Sequence, residues 1–178
     1  MKHLVLFFCL IAIGVESIAQ SRPWFVGIQP GITKEKFYAE NEFDINIIPI
    51  VIQTPLIKRF DIRVVTLANY HFGDQSRFSD LGINVIAPYT FRIKENVLNR
   101  THGFYLGPMI GASRNNLNRH NTLNLAGELG YMFEASKRFT LSLGVQYGRT
   151  YFDYDNSPSV WREHLALTKI NLGFWIGD

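Results

Sequence analysis

One cysteine, Cys9, occurs in 178 residues, and it lies in an apolar stretch near the start. No disulfide can form within the chain, so stability has to come from hydrogen bonding and packing. A lipoprotein would carry its cysteine at a cleavage point after small residues, and Phe7-Phe8-Cys9 does not supply one. Charge of one sign is also scarce. Eighteen Lys and Arg against 15 Asp and Glu leave a net +3 that is spread along the chain, so nucleic acid is a poor partner. No apolar run reaches the ~20 residues that a helix needs to cross a bilayer. No motif for catalysis or for a cofactor stands out.

What is present starts with a leader. Lys2 and His3 form a short polar opening, Leu4 to Val15 is apolar, and Ser17-Ile18-Ala19 is a small-x-small site before Gln20. This pattern predicts a secretory signal peptide over 1–19 and an exported domain over 20–178. A retained anchor helix is the weaker reading, because the apolar run is too short to span.

From Trp24 onward the hydrophobic period is two, the signature of strands. In 139–147, Phe139, Leu141, Leu143, Val145 and Tyr147 share one face, with Thr140, Ser142, Gly144 and Gln146 on the other. The same treatment predicts eight strands near 23–32, 43–54, 58–72, 80–93, 103–114, 121–134, 138–152 and 163–177. Ala135-Ser136-Lys137-Arg138 is a tight connection, and pairing around it sets Leu129 opposite Leu143. Pairing around Gly73–Ser79 sets Asp61 beside Arg92 and Asn69 beside Asn84. Past Ile47 both faces are apolar, and after Leu167 the apolar parity shifts, which suggests a bulge. Pro30, Pro49, Pro88 and Pro108 fall inside these strands, and each removes a ladder hydrogen bond.

Aromatics recur at one end of nearly every strand, always on the apolar face. Trp24, Phe60, Phe91, Phe104, Phe133, Phe139 and Phe174 make up this set. Tyr70, Phe72, Tyr147 and Tyr151 make a second set at the other end. Such girdles mark the two interfaces of a transmembrane β-barrel. A soluble lipocalin-like barrel, binding an apolar ligand, would put the apolar face inward and the polar face in water. The polar face here is rich in Gly, Asn, Ser and Thr and poor in Lys and Glu. That composition suits a crowded narrow lumen better than a water-facing sheet, and the large aromatics would overfill such an interior. The prediction is an all-β, up-and-down antiparallel barrel of about eight strands, with both chain ends on the periplasmic side.

The chain resembles the small bacterial outer-membrane barrels of the OmpA/OmpX type, and the short barrels common in Bacteroidetes. The resemblance rests on the leader, the strand number and the aromatic-bearing final stretch Ile170-Asn171-Leu172-Gly173-Phe174-Trp175-Ile176-Gly177-Asp178. It implies outer-membrane lipid and lipopolysaccharide as surroundings, the barrel-assembly machinery as a partner in biogenesis, and no cofactor. Members usually end on an aromatic residue, whereas this chain ends on Gly177-Asp178.

Asp44, Asp61, Arg63, Arg92, Glu128 and Lys169 are predicted to point into the lumen. They read either as a salt-bridged plug or as an ion path; eight strands leave an interior that side chains fill, which favours the plug. His71, His120 and His164 fall near the outer rim. They read as solvated histidines, or as metal ligands without diagnostic spacing. Lipid A acylases and deacylases also use this fold, and Ser113 and His71 with Asp153 or Glu163 are the candidates for such chemistry. No spacing singles them out. Arg149 and Arg162 are expected on the outward face near the rim, as lipopolysaccharide contacts or as snorkelling side chains. Asn99-Arg100-Thr101 matches a glycosylation sequon by chance.

Overall fold

Alternation of this kind is satisfied only when one face of each strand is covered, and here the sheet covers itself by closing. The structure is a computed structural model, and it describes residues 22–33, 39–74, 76–93 and 101–177. The stretch 1–19 expected to be a leader, Asn99, Arg100 and most of the 94–102 connection lie outside the described residues. Eleven strand segments form: β1 (Trp24–Ile28), β2 (Ile32–Thr33), β3 (Phe43–Asn46), β4 (Ile50–Ile57), β5 (Phe60–Phe72), β6 (Arg77–Ile86), β7 (Tyr89–Ile93), β8 (Thr101–Asn115), β9 (His120–Glu134), β10 (Phe139–Tyr154) and β11 (Val160–Ile176). Every pairing is antiparallel, and no helix occurs among the described residues.

Eight segments form a closed ring in the order β1-β4-β5-β6-β8-β9-β10-β11 and back to β1. The seam runs from Trp24↔Ile176 to Ile28↔Leu172. The three remaining segments continue ring strands across short breaks: β2 follows β1, β3 precedes β4 and β7 follows β6. Eight strand lines therefore result, close to the eight stretches predicted.

The prolines mark those breaks. Pro30 separates β1 from β2, Pro49 separates β3 from β4, and Pro88 separates β6 from β7. Pro108 stays within β8, where its carbonyl accepts from Ala87 N at 3.0 Å. Its missing N–H points the same way, toward the β6–β7 break, so Pro88 and Pro108 share one interruption. Pro88 still accepts from Asp61 N at 3.1 Å. The break at Ile47–Pro49 also flips parity: Asp44 and Asn46 are buried before it, Val51 and Gln53 after it. That flip explains why both faces look apolar there. The bulge expected after Leu167 is present, as the register between β10 and β11 slips between Gly144↔Lys169 and Gln146↔Ala166.

The apolar face points out. Leu81, Ile83, Leu106, Ile110, Leu129 and Leu165 are among the exposed large hydrophobics. All seven predicted girdle aromatics occupy the outward face at the end that carries the turns Lys58-Arg59 and 135–138. Their rings and two tyrosines form edge-to-face and tilted contacts: Phe60–Tyr89 at 4.9 Å, Tyr89–Phe91 at 5.4 Å, Phe104–Tyr131 at 4.9 Å, Tyr131–Phe133 at 4.6 Å and Phe139–Phe174 at 4.9 Å. At the opposite end Phe43, Tyr70, Phe72 and Phe78 cluster, and Tyr151 packs on Trp161.

Three sequence expectations about the fold need correction. The β5–β6 register is displaced by four residues: Asn69 pairs with Asp80, and Asn84 with Val65. β6 starts at Arg77, so the turn is shorter than the Gly73–Ser79 stretch suggested. Large aromatics are also not barred from the interior, since Phe25, Tyr105 and Trp175 are buried there. Glycine makes the room for Tyr105. A Cβ on Gly130 would lie 2.4 Å from its ring, and one on Gly144 would lie 2.9 Å from its hydroxyl.

A packed polar lumen as the candidate functional site

The inward face of each strand supplies one or two polar groups per level, and the closed ring brings them together. At mid-height Arg63 of β5 meets Glu128 of β9, with Nη1 2.7 Å from Oε1 and both side chains almost wholly excluded from solvent (1% and 0% exposed). Arg63 Nε donates to Gln53 Oε1 at 2.7 Å. Tyr105 OH donates to Glu128 Oε1 at 2.8 Å, and Gln146 Nε2 donates to Glu128 Oε2. Gln53 Nε2 in turn donates to Asp61. The Arg63 guanidinium carbon also lies 4.9 Å from the Tyr105 ring centroid, within cation–π range. A buried ion pair is held where neighbouring polar groups hydrogen-bond to it, and Gln53, Tyr105 and Gln146 do so here.

Below and beside this cluster the lumen is equally full. Gln29 donates to Asn171 at 2.8 Å, and Asn171 donates to Ser142 at 2.7 Å, linking β11 and β10 to the end of β1. Trp175 Nε1 donates to Thr140 Oγ1 at 3.0 Å. Phe25, Val51, Val65, Ile86, Met109 and Trp175 form an apolar plug against the polar layer.

Above it, Asp44 accepts from Ser79 Oγ at 2.8 Å and faces His71 Nδ1 at 2.8 Å. His71 Nε2 lies 3.8 Å from Glu42. At the mouth Arg114 grips Asp155 with two parallel contacts, of 2.8 and 2.5 Å. That hydrogen bond from Arg114 holds the exposed Asp155 carboxyl below its ordinary range.

Of the predicted lumen charges, Asp44, Asp61, Arg63 and Glu128 are buried inside. Lys169 shares the inward face with its partner Gly144 and is half-buried. Arg92 does not join them. It pairs with His102 at the end of β7 and is exposed, because the shifted β5–β6 register places Pro88 opposite Asp61.

Arg149 faces outward and is exposed, paired with Glu163. Arg162 lies on the inward face. It pairs with the buried Thr150, and its guanidinium carbon is 5.4 Å from the Phe152 ring centroid. The parity shift at the Leu167 bulge, carried back up β11, gives this placement.

Two of the three rim histidines are not solvated: His71 and His120 are buried, while His164 is half-buried and contacts Gln146 at 3.3 Å. Among the described residues no group of three His, Cys, Asp or Glu is placed to hold a metal. Both ring nitrogens of His71 face carboxylates, a poor arrangement for a base acting on Ser113. Sequence reasoning missed Gln53, Tyr105 and Gln146. Gln146 shares the polar face of Thr140, Ser142 and Gly144, and that parity was the signal available for it.

No family model and no curated protein matches the chain.

Proposed function

We propose that the protein is an integral outer-membrane β-barrel with a closed lumen, acting as a structural or surface-interaction component without enzymatic activity. The observation that carries this reading is the inverted distribution of polarity. A closed eight-strand ring presents leucines, isoleucines and aromatic belts outward and keeps arginine, glutamate and glutamine inside. Soluble proteins rarely expose apolar patches above a few hundred Å². In lipid a closed ring satisfies every backbone group, and an apolar exterior is the matching solvent face. The apolar run at 4–15 followed by a small-x-small site supports export.

The filled interior supports a barrel without a wide pore. It also weighs against an apolar ligand cavity of the lipocalin kind, since the groups pointing inward are mainly polar and most of these are hydrogen-bonded to one another or to the backbone.

The test is migration of the membrane fraction on a gel, with and without boiling, after a carbonate wash. A protein that stays in the washed membrane and shifts on heating supports the proposal. Release into the wash, with no heat shift, overturns it. An altered lipid A mass on overexpression, dependent on Ser113 and His71, would reinstate the enzyme reading.

A further inference from the structure

Charge is unevenly divided between the two ends of the barrel. At the end bearing the complete aromatic belt, Arg22, Lys58, Arg59, Arg92, Lys137 and Arg138 outnumber the acids among the described residues, of which Glu134 is exposed and Asp61 is buried in the lumen. Five of the six bases are exposed, and Arg22 is half-buried. At the opposite end acids and bases are mixed, and Arg114 is neutralised by Asp155.

The basic groups are held at belt height. Arg59 Nη1 donates to Phe91 O at 2.9 Å and reaches Tyr89 OH at 3.4 Å, so its guanidinium is held against the backbone of a girdle residue and the hydroxyl of a tyrosine that packs on the girdle. Arg22 Nη1 donates to Pro55 O at 2.7 Å and also to Leu56 O, anchoring a second guanidinium at the β4 end of the same rim. Lys137 and Arg138 occupy the β9–β10 turn, and Trp175 N donates to Arg138 O at 2.8 Å.

From this geometry we infer that the belt end is a collar for anionic phospholipid headgroups, which binds them in preference to zwitterionic ones. The inference rests on the membrane reading above and deepens it by naming the lipid class for one leaflet. Aromatic rings of this kind sit at headgroup level, which puts the collar's cations beside lipid phosphates. Zwitterionic lipid carries a phosphate too, but its amine cancels the charge. A basic residue near an anionic surface contributes about fivefold in binding, and the effect fades beyond a Debye length. The opposite end, with its charges balanced, has no such preference.

Two tryptophans allow each end to be read separately. Trp24 lies in the belt, flanked by β4 and β11, while Trp161 is exposed at the far end. Trp175 is buried in the lumen and adds only a constant background. The purified full chain is refolded into phosphatidylcholine vesicles containing either brominated phosphatidylglycerol or brominated phosphatidylcholine, and quenching is compared. With Trp161→Phe, leaving Trp24 as reporter, the anionic lipid is expected to be favoured about two- to fivefold at low salt, and less at high salt. With Trp24→Phe, leaving Trp161, both lipids quench equally.

Lys58→Gln/Arg59→Gln/Lys137→Gln/Arg138→Gln should abolish the preference at Trp24. Lys137→Gln/Arg138→Gln alone, confined to an exposed turn, should reduce it by about half if the fourfold variant does not fold. Equal quenching of Trp24 by the two lipids overturns the collar and leaves the membrane reading intact. No quenching of either tryptophan by either lipid overturns the membrane reading itself.

Discussion

Replacing Glu128 by alanine tests whether the lumen is a closed plug. Glu128 is 0% exposed and receives Arg63, Tyr105 and Gln146. Its loss strands Arg63, which is 1% exposed, without the counter-charge. Removing one partner from a buried pair costs about 3–5 kcal/mol. Tyr105 OH and Gln146 Nε2 also lose an acceptor, each by itself a penalty of about 1–3 kcal/mol. These costs overlap, because water entering the vacated space relieves several at once, so a total of about 4 kcal/mol is expected. The assay is urea unfolding of the vesicle-inserted protein, followed by tryptophan fluorescence. Arg63→Met/Glu128→Met should cost less than Glu128→Ala, since no charge is then left unpaired. A Glu128→Ala loss below about 1 kcal/mol would mean that Arg63 is already hydrated, and the plug would have to be abandoned in favour of a wet channel.

Other substitutions probe the rest of the barrel. Leu143→Arg puts a cation on the outward face between Tyr131 and Ile170, and at bilayer mid-depth this should cost about 2–4 kcal/mol; normal stability of the inserted variant would show that the face is not in lipid. Gly144→Leu sends bulk toward the Tyr105 hydroxyl and Glu128 and should reduce the folded, heat-shifting fraction, whereas unchanged yield would deny the tight fit. The depressed Asp155 carboxyl contributes order to the 155–159 turn above the unfolded carboxylate pKa of about 3.9, and that contribution is lost as pH falls through the lower folded value. Asp155→Asn should therefore speed proteolysis of the turn at neutral pH and make no difference in strong acid; equal rates for variant and wild type at neutral pH would show the ion pair to be idle.

Much of the barrel was legible because period two is a local property. The faces of 139–147, the outward belt and the Leu167 bulge all follow from which residues alternate with which. What alternation does not see is a slip by an even number of residues. A one-residue slip flips every side chain to the wrong face, but a four-residue slip changes none of them. The β5–β6 register was therefore open, and the misplacement of Arg92 follows from it. The prolines were legible as breaks but not as shared ones, since Pro88 and Pro108 are brought together only by the pairing of distant strands. Arg162 could have been placed by carrying the Leu167 parity shift through to the start of β11. The inward aromatics were hidden for another reason. Tyr105 fits because Gly130 and Gly144 yield space across the sheet, and a single strand read alone does not reveal its neighbours.

The seam between β1 and β11 joins the earliest strand to the last. Along the chain, assembly is therefore a problem of waiting. Every hairpin from β4 to β10 can zip locally, yet the ring stays open until Leu172 to Ile176 are available to meet Trp24 to Ile28. Until then the sheet has two bare edges, each a template for unwanted pairing. Closure of so distant a contact is slow, because the loop entropy of the whole domain is lost in one step. A chain truncated by its last few residues would forfeit not one strand but the sealed state itself, and what remained would be an open ribbon prone to join another copy.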